Sequence, residues 1–424
     1  MTSTRATQRR ATYREVLADR RFRLLFLTRA ATITADSLRI MTLSVFVFAA
    51  TGSPLLGSLT FGAGFLPQLV GSVLLGSLAD RIRPRRLIVA GYLLECGTAA
   101  AIALAELPVA LILTLVAVVA CLTPVFGGAS SRLVAETLTG DAYVLGRSLF
   151  SMSASGAQLL GLAGGGAALT LLGARHALLL SAGVYLAAAL AVRIRLPDLP
   201  TPRQADSDSG QPEPGRPESE RASGSVLRHS WSGMARLLAG RRVRQLLLAQ
   251  WLPSSFVAGA ESLIVPFSGQ RGFPAGSAGP LLACLPVGML LGNLIVGRFL
   301  SPEARERLVA PLVAVLGLPL AVFVLSPPWA VCAVMLLLSG VGFAYGLGLQ
   351  RAFLDAVPET SRGQAFGLLT SGLMTVQGVG PAVFGWVAET STVGLAMALA
   401  GCATLCVAGF LTWMPVRPLT TKTP

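Results

Sequence analysis

The sequence predicts an all-α membrane protein with twelve transmembrane helices in two pseudo-symmetric six-helix bundles. Three observations carry that expectation. Apolar runs of about 20 residues, the length needed to cross a bilayer, recur along the whole chain. Hydrophobic residues fill 53% of the 424 positions and charged residues only 13%, which leaves too little polar surface for a water-soluble globule of this size. The basic residues are also segregated. With the N-terminus placed in the cytoplasm, 30 of the 34 Lys and Arg fall on the cytoplasmic side of successive runs, as the positive-inside rule requires.

In chain order, the runs place spans at 22–50, 56–79, 86–105, 108–130, 147–171 and 176–196, then at 244–268, 277–300, 308–326, 329–350, 363–388 and 393–414. Residues 1–21 form a basic, polar cytoplasmic arm with no apolar core of a cleavable signal. Residues 22–196 make the N-terminal bundle and 244–414 the C-terminal one, with 415–424 as a cytoplasmic tail. Between the bundles, 197–243 is a cytoplasmic linker. Its first part is rich in Pro, Ser, Glu and Asp and lacks the apolar residues needed to bury a core, so it reads as disordered. Within it, 226–238 reads either as a short amphipathic helix at the membrane surface or as an extension of the seventh span.

The halves repeat each other weakly. Arg132 to Glu136 lies 219 positions before Arg351 to Asp355, and Gln158 to Gly161 lies 219 before Gln377 to Gly380. Two duplicated six-helix halves are a transporter architecture, with the substrate path between them near the midplane. The net charge of +14 does not indicate nucleic acid, because it follows the loops with the period of the spans rather than forming one patch. No metal or catalytic site is expected. The six cysteines form no CxxC pattern and are expected to be buried small hydrophobes. The sequence contains no HExxH, no Walker sequence and no GxSxG in the required context. An enzyme and direct ATP drive are thereby disfavoured. No cofactor is expected, and a proton gradient is the expected energy source.

Ionisable groups inside spans are the best site candidates, because each costs about 2.5–3.5 kcal/mol at the bilayer centre on insertion scales and needs a cavity or a partner. The first span holds Arg29, Asp36 and Arg39. At 100° per residue Asp36 lies about 20° from Arg29, and Arg39 about 80°, so the three share one side of the helix with Thr32. Asp36 is the expected proton carrier, with a static Asp–Arg pair as the alternative. Glu95 in the third span and Glu261 in the seventh are further candidates for carrying protons or meeting a cationic substrate. Gln158 and Gln377, placed equivalently by the repeat, are expected to line the path.

One loop carries a family resemblance. Gly76, Asp80, Arg81, Arg85 and Arg86 stand between the second and third spans. The stretch resembles the signature loop of the major facilitator superfamily, with Arg83 and Pro84 where a glycine is usual. The resemblance implies that this loop is a conformational switch stabilising the outward-facing form. In the second half Gly292 and Gly297 keep the glycine spacing, but the acid is missing before Arg298. The fifth span, with Gly156, Gly161, Gly164, Gly165 and Gly166, resembles the glycine-rich motif of drug/proton antiporters. Leu162 stands where that motif has proline, and Gly380 and Pro381 supply the dipeptide in the eleventh span. Small residues at such spacing allow close helix crossing.

Further patterns are similar to macrolide-efflux-type exporters: Arg21 to Phe26, Asp36 followed by Thr51, Gly52 and Ser53, Arg132 to Val134, and Pro358 to Gly363. The resemblance implies proton-coupled export of hydrophobic small molecules or drugs from a bacterial cell membrane by a monomer, while the Lys and Arg asymmetry places both termini in the cytoplasm. The partners are the substrate and the lipid bilayer. A dedicated exporter of one metabolite, such as a siderophore or a self-made antibiotic, is the alternative, and a transporter-derived sensor a lesser one. Arg supplies 33 of the 34 basic residues, a mark of a GC-rich genome that fits an antibiotic-producing bacterium.

Overall fold

The computed structural model describes residues 12–75, 82–138, 140–197, 237–274, 276–358 and 362–413. The expected linker lies almost wholly outside the described residues, as do Gly76, Asp80 and Arg81. Among the described residues the chain is helical, with no strand.

The first half comprises α1 (Tyr13–Ala18), α2 (Arg20–Thr51), α3 (Pro54–Gly62), α4 (Leu66–Leu75), α5 (Pro84–Leu104), α6 (Val109–Thr137) and α7 (Gly140–Arg195). The second comprises α8 (Arg241–Ser262), α9 (Ile264–Gln270), α10 (Ala278–Phe299), α11 (Pro302–Arg307), α12 (Val309–Ala321), α13 (Trp329–Gly342), α14 (Tyr345–Ala356), α15 (Arg362–Thr390) and α16 (Val393–Trp413). Nine helical stretches among the described residues are long and apolar enough to cross a membrane. One of these, 156–195, is broken at Gly173, while 309–325 is a shorter apolar helix and α8 with α9 supplies the seventh span. The twelve spans follow the expected order.

Local chemistry sets the boundaries. Thr12 and Glu15 close a capping box on α1, satisfying two orphan amides at once. The Asp19 carboxylate accepts from the amides of Arg21 and Phe22, both at 2.8 Å, and so starts α2. Ser53 caps α3 with Pro54 behind it, and Pro84 opens α5, where a missing N–H costs nothing.

Several boundaries differ from the expected ones. The second, seventh and tenth spans are each interrupted, at 63–65, 263 and 343–344. α6 runs on to Thr137 and α7 starts at Gly140, so both extend well beyond the apolar runs. The fifth and sixth spans meet without a loop. Gly173 at φ 77°, ψ 165° reverses the chain between them, in a region open essentially to glycine alone.

The chain divides into two compact units: residues 1–39 with 70–210, and residues 40–69 with 211–424. In the first, α5 packs along α7 and α6. Its basic-end core joins Val16 of α1 to Phe22, Leu25, Leu87, Ile88, Leu133 and Val192. Close helix approach is explicit at Gly71, where a Cβ would stand 1.6 Å from the Cys121 carbonyl oxygen. In the second unit α8 packs on α15, α10 on α13, α12 on α16, and the outer segment α3 on α15. The Glu389 carboxylate at the end of α15 accepts from Ser53 Oγ at 2.8 Å and from the Leu55 amide at 3.2 Å, fixing the start of α3.

The cysteines differ in part from expectation. All six are free and Cys332 is buried, but Cys402 and Cys406 are exposed on α16. An apolar outer face suits a span that meets lipid rather than a core.

Candidate functional site

Three helices of the first unit bring ionisable side chains together. α2 carries Asp36 and Arg39, one turn apart on one face. α5 brings Glu95, and the second arm of α7 brings Tyr185. Arg39 Nη1 donates to Glu95 Oε2 in a direct, charge-assisted bond. Arg39 Nη2 stands 3.5 Å from Asp36 Oδ1, an ion pair beyond ordinary hydrogen-bond length. The Tyr185 hydroxyl donates to the same Asp36 oxygen at 2.6 Å. The Arg39 guanidinium also lies over the Tyr185 ring, 5.7 Å from its centroid, within cation–π range.

Packing makes this cluster tight. Tyr185 is fully buried, and Ala35, Ala99 and Ala182 form the small-residue seat around it. Arg39 and Glu95 are buried as well. The side chain of Asp36 is 34% exposed, against 12% for Glu95, so Asp36 is the more open of the two carboxylates. Arg39 Nε has no acceptor among the described residues. A buried charge on its own is costly, and a buried pair holds only when its hydrogen bonds are met. Two carboxylates contact one guanidinium here, and Arg29 on the same side of α2 adds a second positive charge that acts on Glu95. One carboxylate can therefore take up or release a proton while Arg39 remains paired with the other.

The other expected residues distribute as follows. Arg29 shares the α2 face but makes no ion pair or hydrogen bond through its side chain among the described residues; Thr32 Oγ1 donates to its carbonyl. Glu261 sits half-buried near the end of α8, with no hydrogen bond or ion pair among the described residues. Gln158 is exposed and Gln377 half-buried, and neither enters the Asp36 cluster. Gly161 lies against α2: a Cβ there would stand 2.4 Å from the Thr34 carbonyl oxygen. Gly165 is buried, while a Cβ at Gly156 or Gly164 would meet nothing. Gly380 brings α15 onto α8, with the Ser255 carbonyl oxygen 2.0 Å from where its Cβ would be, and Pro381 abuts Gly62. Of the signature loop, Arg85 donates to the Arg193 carbonyl at the end of α7, a favourable place for a cation, and Arg86 is exposed. Gly76, Asp80 and Arg81 lie outside the described residues. Across the second half, Arg305 plays a comparable capping part, donating to the Val296 and Gly297 carbonyls at 3.2 and 2.5 Å.

Tyr185 has no counterpart among the sequence candidates. Its one signal is a lone phenol within an alanine-rich stretch, because a buried tyrosine hydroxyl needs a partner.

Solved structures share this fold. The crystal structure of a bacterial homologue of the human lysosomal transporter Spinster, inward-facing and unoccupied, matches at TM-score 0.65 and 15% identity, covering 93% of this chain and 96% of that one. The crystal structure of the nucleoside transporter NupG matches at TM-score 0.70 and 12% identity, covering 93% and 99%. At such identities the likeness concerns the fold. No curated protein sequence matches the chain. The family model described as Major Facilitator Superfamily matches residues 25–354. Most of the chain thus fits that model, and the protein is a multi-pass membrane transporter of the Major Facilitator Superfamily.

Proposed function

We propose that this transporter is a secondary active exporter that couples proton entry to the exit of hydrophobic small molecules or drugs by alternating access. The observation that carries the proposal is the buried cluster of Asp36, Arg39, Glu95 and Tyr185 in the membrane-spanning region. Ionisable groups placed there at such cost mark ion or proton pathways. One proton taken up by Asp36 or Glu95 raises the net charge of the cluster by one, and its loss reverses that change. A site that prefers one net charge in each access state couples proton movement to the conformational cycle. Glu261, without a hydrogen bond or ion pair among the described residues, would meet a cationic group on the substrate, with Gln158 and Gln377 along the path. The Gly76–Arg86 loop would act as the conformational switch. The protein would work as a monomer in a bacterial cell membrane, with both termini cytoplasmic, driven by the proton gradient without a cofactor.

The test is compound accumulation in a pump-deficient bacterium that expresses the wild type or Asp36→Asn, with and without a protonophore. The panel holds macrolides, phenicols, ethidium, a siderophore and a nucleoside. Wild type should lower accumulation of several hydrophobic compounds several-fold. The protonophore and Asp36→Asn should each abolish that effect. Lowering of one compound alone would favour a dedicated metabolite exporter. A wild type that lowers none, or one indifferent to the protonophore, refutes proton-driven export of these compounds.

A further inference from the structure

We propose that Tyr185 is a positioning residue that holds Asp36 off Arg39, so that Asp36 rather than Glu95 exchanges the proton. The inference rests on the reading of the cluster as the proton-coupling site and says which member of it moves. The asymmetry is geometric. Glu95 is bonded directly to Arg39 Nη1, whereas Asp36 is left 3.5 Å from Nη2 and takes its short bond from the Tyr185 hydroxyl instead, at 2.6 Å. Among the described residues Arg39 Nε remains without an acceptor. The guanidinium therefore has a donor to spare there, and Asp36 does not use it.

The phenol cannot follow Asp36 toward Arg39. Its ring is fully buried against Ala35, Ala99 and Ala182, with the guanidinium stacked above it. Asp36 is also the more open of the two carboxylates. The ionisable groups facing it are Arg39 and, on the same side of α2, Arg29, with Glu95 from α5 and Tyr185 from α7. Without the hydroxyl, nothing in this set would keep Asp36 from closing onto the free donor of Arg39. A carboxylate clamped by a guanidinium fork is held in its ionised form and ceases to exchange.

The test is infrared difference spectroscopy of the purified full-length protein through a pH titration, which needs no substrate. The Asp36 carboxyl C=O band is the one lost in Asp36→Asn. In Tyr185→Phe, which keeps the ring, that band should be lost or clearly displaced from its wild-type frequency, because its hydrogen-bond donor is gone. Ser181→Ala is the packing control: among the described residues Ser181 Oγ donates to the backbone carbonyls of Ala35 and Ala177 in the same interface. It should leave the band in place.

An Asp36 band in Tyr185→Phe that coincides with wild type overturns the positioning role, and so does an equal displacement in Ser181→Ala. If Asp36→Asn removes no band at all, the proton-site reading itself fails, which is a separate result. Should Tyr185→Phe not fold, ring-labelled tyrosine in the wild type answers the same question. One of the five tyrosines should change its C–O stretch together with the Asp36 titration, and that change should vanish in Asp36→Asn. No such coupled change overturns the proposal.

Discussion

Replacing Arg39 by leucine is expected to destabilise the protein by about 3–5 kcal/mol, the cost of breaking a buried ion pair from one side. The substitution removes the cation that, among the described residues, faces both Glu95 and Asp36 at contact distance. Glu95 is buried and loses its direct partner, so it must either stay ionised without compensation or take up a proton. The guanidinium also lies over the Tyr185 ring, so that contact goes too. Neutralising the orphan should recover much of the loss. The double variant Arg39→Leu with Glu95→Gln is expected to be clearly more stable than Arg39→Leu alone. Thermal unfolding of the detergent-solubilised proteins measures both. Equal stability of wild type and Arg39→Leu would mean that the pair contributes nothing to the fold. Absence of rescue in the double variant would mean that loss of packing, not the stranded charge, dominates.

Placing valine at Gly71 is expected to be still more disruptive. The added Cβ would coincide with the Cys121 carbonyl oxygen, at 1.6 Å, and that oxygen belongs to backbone. No rotamer relieves such a clash. α4 and α6 would have to separate, and overpacking of this kind costs about 3 kcal/mol or more. Gly97 is the control, since a Cβ there would meet nothing within 4 Å. Gly71→Val should give little or no folded protein in the membrane by size-exclusion of a fluorescent fusion, while Gly97→Ala should match wild type. A well-folded Gly71→Val would contradict the close crossing of these helices.

How far the sequence revealed the molecule differs by feature. The spans and their order follow from the bilayer thickness, which forces long apolar runs whatever the packing. The polar face of α2 was legible because helical periodicity is local: Arg29, Asp36 and Arg39 share a side by spacing alone. Pairing was not legible. Arg39 meets Glu95 across 56 positions and Asp36 meets Tyr185 across 149, and those contacts depend on how α2, α5 and α7 cross. Tyr185 escaped notice because a single tyrosine in an apolar helix has the composition of ordinary lipid-facing or core sequence. The junction of the fifth and sixth spans falls within the expected gap at 172–175, which holds Gly173. Only its form differs: one glycine at positive φ makes the reversal in place of a short loop. The glycine-rich fifth span shows the limit of motif reading: of its glycines, Gly161 lies against α2, whereas Gly156 and Gly164 have open space around them.

The central claim is that the Asp36 cluster couples a proton to the transported molecule, and its most direct test is proton movement in reconstituted liposomes. Vesicles holding a pH-sensitive dye would be given a gradient of the compound most strongly expelled by cells, with no proton gradient imposed. For wild type the account predicts proton flow opposite to the compound, about one proton per molecule if the cluster alone carries it. Asp36→Asn should show no proton flow. Compound movement without proton movement in wild type would contradict the account, as would undiminished proton flow in Asp36→Asn.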